Sequence, residues 1–113
     1  MHEFSIAVTI VNTIVDVLKE EGGKKVTEID IEVGQFSGVV IDSLEFAMQQ
    51  AVKGTTAQDS VINIVYIPGL IYCETCYKEF KSDLMYASCP YCGDSNTKII
   101  KGDEMQLKSI EIE

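Results

Sequence analysis

The chain has 113 residues, 46% of them hydrophobic and 24% charged, a composition that suits one globular domain or a small domain carrying a subdomain. Neither disorder nor a multidomain enzyme is expected. Nine basic residues, all lysine, stand against eighteen acidic ones, and a net charge of −9 without a single arginine opposes phosphate binding, so no nucleic-acid partner is expected.

No basic leader precedes an apolar run and no stretch approaches a membrane span, so a cytoplasmic protein with no membrane contact and reduced thiols is expected. Apolar residues at Phe4, Ala7, Val8, Val11, Ile14, Val15 and Leu18 have the spacing of one helical face, and Gly22-Gly23 ends that helix. From Val26 the period changes to two, with Ile29, Ile31 and Val33 opposite Glu28, Asp30 and Glu32, a strand with one wet face. Those carboxylates read as a solvated face or a docking surface for a basic partner, not as an acid/base pair.

Gly34 to Ile41 reads as a connection. Asp42 with Glu45 has the form of a capping box opening a second helix through Leu44, Ala47, Met48 and Ala51, closing near Gly54. A second strand runs from about Ser60 to Ile67 and stops at Pro68-Gly69. After residues 70–100, which hold every cysteine, alternation returns with Met105 and Leu107, but Ile110 and Ile112 are one residue out of phase. A β-bulge near Lys108 or Ser109 keeps all four on the buried face. A strand this late needs a sheet larger than the cysteine module supplies. The expected fold is therefore α+β: two helices packed on a small three-stranded sheet formed by residues 1–69 and 101–113, with an inserted zinc-ribbon-like four-cysteine domain at residues 70–100.

Cys73-Glu74-Thr75-Cys76 and Cys89-Pro90-Tyr91-Cys92 place four soft thiolates on two tight turns, separated by twelve residues, a spacing that matches tetrahedral Zn2+. Gly93 and Pro90 suit a sharply turning knuckle. Four protein ligands leave no open position for a water nucleophile, so the site is expected to be structural, with metal binding supplying the folding free energy of a module this small. Iron in the same sulfur geometry, two disulfides or a redox pair are the competing readings.

His2 is the one histidine in the chain, and a lone terminal histidine is ordinarily a solvated side chain. Its position opens a second reading. Histidine is too large to favour removal of Met1, so the mature chain is expected to present a free α-amine beside His2. That amine, the adjacent amide nitrogen and the imidazole Nδ1 close chelate rings around one ion, with the Glu3 amide within reach as a fourth nitrogen. A flat nitrogen set favours Ni2+ or Cu2+ over Zn2+. The helix dipole disfavours a cation there, and the Glu3 carboxylate is placed to offset it.

Met1-His2-Glu3 with Ser5, Ile31-Glu32-Val33-Gly34 running to Ser37-Gly38-Val39, Leu44 with Phe46-Ala47, Pro68, the two cysteine pairs with Gly93, and Leu107-Lys108-Ser109-Ile110-Glu111 together resemble the nickel metallochaperones of hydrogenase maturation, called HypA or HybF. The likeness covers nearly the whole chain, with Ile41 where many relatives have proline and Asp94 where serine is common. It implies a nickel domain joined to a zinc domain, with Met1, His2 and Glu3 mapping to transferable Ni2+ and Cys73, Cys76, Cys89 and Cys92 to structural Zn2+. It further implies delivery of nickel to the precursor of the [NiFe]-hydrogenase large subunit in cooperation with a HypB-type GTPase, extending in some relatives to urease and its accessory proteins. As an enzyme the chain is poorly equipped, with one histidine, no serine–histidine–acid set that could be assembled away from the terminus and no phosphate-binding glycine loop, so no enzyme is expected. The alternative function is a zinc-ribbon adaptor that binds only protein and carries no nickel.

Overall fold

A computed structural model of the chain describes residues 2–113, so Met1, one of the expected nickel ligands, lies outside the described residues. The elements are α1 (Glu3–Glu20), β1 (Val26–Gly34), α2 (Ile41–Ala51), β2 (Val61–Ile67), β3 (Leu70–Cys73), β4 (Glu79–Lys81), β5 (Thr97–Lys101) and β6 (Met105–Ile112). They form two three-stranded sheets, ordered β2-β1-β6 and β4-β3-β5. By compactness the chain divides into one unit of Met1–Glu32, Val39–Val65 and Gln106–Glu113, and a second of Val33–Gly38 and Tyr66–Met105. No helix of the described residues is long and apolar enough to cross a membrane.

In the first unit α1 and α2 pack on each other, and the core takes Ala7, Ile10, Val11, Ile14 and Leu18 from α1, Ile29 and Ile31 from β1, and Leu44, Ala47 and Met48 from α2. The buried face of α1 differs from the expected one. Ile10 is inside, whereas Phe4 is 59% and Val8 37% exposed. Apolar residues surround most of the first two turns, so spacing located the helix without fixing which stripe points inward. The helix ends as Gly22-Gly23 predicts: Gly23 N–H donates to Leu18 O at 3.0 Å and Gly22 N–H to Lys19 O at 3.2 Å, the paired bonds of a Schellman turn.

The expected capping box is corrected. The N-cap of α2 is Val40, no side chain caps the helix, and Asp42 lies inside the first turn. The Val40 N–H donates instead to Glu3 Oε2 at 3.1 Å, a carboxylate 37 residues away. A tertiary partner fixes residue 40, so the helix starts before the local signal at Asp42.

β1 alternates as read, with Ile29, Ile31 and Val33 buried and Glu28, Asp30 and Glu32 half-buried. The carboxylates take neutral donors from flanking strands: Asn63 Nδ2 bridges Glu28 and Asp30 at 2.8 Å each, Ser109 Oγ donates to Asp30 at 3.0 Å, and Gln106 Nε2 to Glu32 at 2.7 Å. β6 returns beside β1 as expected. Lys24 N–H donates to Glu113 O at one end and Gly34 N–H to Glu104 O at the other, so the two strands run antiparallel. Along β6 Lys108 and Ser109 are both exposed before Ile110 turns inward again, the phase change that a bulge supplies.

In the second unit β3 pairs antiparallel with β4 and β5, setting Ile71 opposite Phe80 and Ile99. Its core is small: Ile71, Cys73, Phe80 and Cys89 are buried, with Phe36, Cys76 and Ala87 against them. Three glycines make its tightest crossing. A Cβ on Gly34 would collide with the Gly102 carbonyl, and one on Gly102 would collide with Gly69 and Phe36. The absent side chains let Phe36 N–H reach Gly102 O at 2.6 Å.

Candidate metal centres

Two knuckles with the same backbone design carry the cysteines. In the first, Tyr77 N–H donates to Cys73 O and Cys73 N–H to Lys78 O, both at 2.9 Å; in the second, Gly93 N–H donates to Cys89 O at 2.8 Å and Cys89 N–H to Asp94 O at 2.9 Å. Each turn needs a left-handed residue directly after its second cysteine. Gly93 supplies it at φ 78° without strain, but the equivalent residue of the first knuckle is Tyr77 at φ 62°, where a Cβ crowds the backbone.

The second knuckle is clamped to the first. Asp94 accepts from Thr75 Oγ1 at 2.6 Å and from Asn96 N–H at 3.2 Å, while Glu74 N–H donates to Asn96 O at 2.9 Å. Thr75 chiefly holds the Asp94 carboxyl below its ordinary range. The serine-to-aspartate departure noted in the sequence thus has a structural role that spacing could not reveal.

This framework gathers all four sulfurs. Cys73 Sγ lies 3.6 Å from Cys92 Sγ and Cys76 Sγ 3.6 Å from Cys89 Sγ, each pair taking one sulfur from each knuckle, and all four ligand atoms lie within 4.8 Å of one another. Sulfurs at ~2.3 Å from a shared centre in a tetrahedron stand ~3.8 Å apart. The cysteines are free, so the disulfide reading has no support, and their spacing fits a four-thiolate metal site. Burial runs from Cys73 and Cys89, both enclosed, to Cys92, exposed. Burial also pushes the Cys76 thiol up to about 12, helped by the neighbouring sulfurs. At Cys89 burial acts the same way but is overcome by the backbone N–H groups of Cys92 and Tyr91, which bring that thiol to about 7. A bound divalent cation would draw off these protons, so metal affinity is linked to pH.

At the amino terminus His2 is the N-cap residue of α1, exposed, with φ −74° and ψ 49° and no side-chain capping bond. Its carbonyl accepts the Ile6 N–H at 3.1 Å. Glu3 follows as a buried charged residue, 6% exposed, and its carboxyl is held below the ordinary range chiefly by the Val40 N–H, against the effect of burial. The Glu3 side chain therefore anchors the start of α1 to the start of α2. The Glu3 carboxylate, expected to offset charge at a bound cation, is engaged in this anchor, which no local pattern marks because the contact spans 37 residues.

The fold and the sulfur cluster define a small α+β metal-binding protein with a closed four-thiolate centre. The family model described as hydrogenase/urease nickel incorporation, metallochaperone, hypA matches residues 1–112. The hydrogenase maturation factor HypA of Chlorobaculum tepidum is 42% identical over 113 residues, and that of Prosthecochloris aestuarii 38%, each alignment covering the whole of both chains. Among solved structures, that of the Ni metallochaperone HypA from Helicobacter pylori has a TM-score of 0.69 at 24% identity, covering 99% of this chain and 97% of that one. A solution structure of a HypA protein gives 0.75 at 24% identity, covering 99% and 96%. The chain belongs to the HypA family of nickel-incorporation metallochaperones that serve hydrogenase maturation.

Proposed function

We propose that this protein binds Ni2+ at its free amino terminus, through the Met1 amine, the His2 imidazole and the adjoining backbone nitrogens up to Glu3, and delivers it to the precursor of the [NiFe]-hydrogenase large subunit. Urease is a second client of the same chemistry. The protein acts as a carrier and not as a catalyst, and a HypB-type GTPase supplies nucleotide hydrolysis. Residues 1–69 and 101–113 make up the nickel domain and residues 70–100 the zinc domain, where Cys73, Cys76, Cys89 and Cys92 hold a structural Zn2+ that shapes the two knuckles.

The observation that carries the nickel reading is the setting of His2: the chain's one histidine stands exposed beside the terminus, without a capping bond, ahead of a firmly anchored helix. An accessible ligand set on a terminus suits cargo that must leave by ligand exchange. Sulfur donors favour the softer, tetrahedral ion and nitrogen donors the square-planar one, which separates the two metals by chemistry.

The test is calorimetric titration of Ni2+ into zinc-loaded protein with its native terminus and into His2→Ala. One nickel per chain is expected in the first and a loss of at least tenfold in affinity in the second. Equal affinity in the two proteins leaves the zinc-ribbon adaptor as the better account.

A further inference from the structure

We propose that a groove on the cysteine-bearing unit docks a short partner peptide presenting an apolar side chain next to a carboxylate. The groove has a volume of about 290 Å3 and is lined by Ile67, Pro68, Gly69, Leu70, Lys81 and Lys101. It is independent of the nickel reading.

Its geometry follows from the sheet. Leu70 of β3 has Lys81 of β4 as its partner on one side and Lys101 of β5 on the other. Adjacent strands lie ~4.8 Å apart, so, although the β3–β5 register shifts between Leu70 and Ile71, the two lysine Cα atoms are separated by roughly 10 Å, a span within which two long flexible side chains can reach one carboxylate. Leu70, Ile67 and Pro68 supply the apolar wall against which a neighbouring side chain of the ligand loses water.

Among the described residues the ion pairs are Lys25–Glu113 and Lys98–Glu74, and neither groove lysine takes part in one. Two carboxylates close in sequence take other donors, Asp83 accepting from Gln35 Nε2 at 3.2 Å and Glu104 from the Gly102 N–H at 2.6 Å, and neither lines the groove. The Gly69 N–H is likewise taken, by Gln35 Oε1 at 2.7 Å. The lining of the groove holds two lysines and no carboxylate, so the charge that faces a ligand there is positive and suits an anion.

The chemistry favours a peptide carboxylate over phosphate. Tight phosphate sites use arginine forks or several backbone N–H groups; this chain has no arginine, and the Gly69 N–H in the lining is occupied. A polyanion would also meet the repulsion of the whole chain.

The experiment is a nitrogen-15 NMR titration of the zinc-loaded full chain with N-acetyl-Leu-Glu-Leu-amide, repeated with the Leu-Gln-Leu analogue and with inorganic phosphate. Shifts confined to the amides of Ile67, Gly69, Leu70, Lys81 and Lys101 are expected. The glutamine analogue and the Lys81→Gln/Lys101→Gln protein should each weaken binding by roughly three- to tenfold, consistent with exposed charge contacts. Lys81→Arg/Lys101→Arg should retain it, and added salt should weaken it. No shifts at millimolar peptide, equal binding of the glutamine analogue, or phosphate binding the groove as well as the peptide does would each overturn the proposal.

Discussion

The two compact units reach stability by opposite routes. The first buries a continuous apolar core from two helices and a sheet and carries most of the net negative charge. The second is built around one small buried cluster, Ile71, Cys73, Phe80 and Cys89, in which two of the four residues are cysteines of the sulfur cluster. A core that small does not hold a fold by burial, so on the proposed zinc assignment a metal would do in the second unit what hydrophobic side chains do in the first. The same contrast recurs on a finer scale between the knuckles, which share their backbone bonds but not the residue at the strained position.

Metal removal should separate the units most sharply. Structural zinc in small modules contributes on the order of 10 kcal/mol at neutral pH, so chelation should abolish hydrogen-exchange protection in β3, β4 and β5 while the helical circular-dichroism signal persists. Simultaneous collapse of both would contradict the contrast. Because thiolates are the ligands, chelators should strip the metal more readily at pH 6 than at pH 8.

The converse perturbation is Ile14→Ala, which empties a fully buried position of α1. A loss of about 2–5 kcal/mol is expected in the first unit on denaturant unfolding, with the zinc content of the protein unchanged.

Smaller effects sharpen the comparison of the knuckles. Tyr77→Gly should relieve the left-handed strain and stabilise the metal-loaded second unit by about 1 kcal/mol, whereas Gly93→Ala should cost about as much. Equal and opposite shifts in the thermal midpoint of metal loss would show that the two turns are conformational equivalents; no response at Tyr77 would show that its side chain offsets the strain.

The slightest expected effect lies on the outer face of the first sheet. Asn63 first, and Ser109 second, hold the Asp30 carboxyl below its ordinary range. A carboxyl with a lowered folded pKa contributes stability that is full above its unfolded value near pH 4 and is lost as pH falls through the lowered value. Asp30→Asn should therefore be less stable than the parent at neutral pH, and the difference should vanish in acid.

Much of this was legible in the chain itself because periodicity and spacing are local. The alternation of Ile29, Ile31 and Val33 gave β1, the one-residue slip after Leu107 gave the irregularity in β6, and paired cysteines with two intervening residues gave a cluster of four sulfurs. What escaped depends on contacts between distant residues or on backbone angles. Glu3 reaches Val40 across 37 residues, and that contact displaced the helix start expected from Asp42 and Glu45. Tyr77 carries no sign of positive φ in its residue type, unlike Gly93. Gly34 looked like an ordinary connection until its crossing with Gly102 gave it a reason.

Transferable nickel at the terminus, with another ion in the sulfur cluster, is the proposal that most needs a direct test. The direct measurement is metal content and nickel affinity of the untagged protein beside the same chain with two residues added before Met1. One zinc per chain in both, and one exchangeable nickel only in the unextended protein, is the predicted result; equal nickel binding by the extended chain would contradict it.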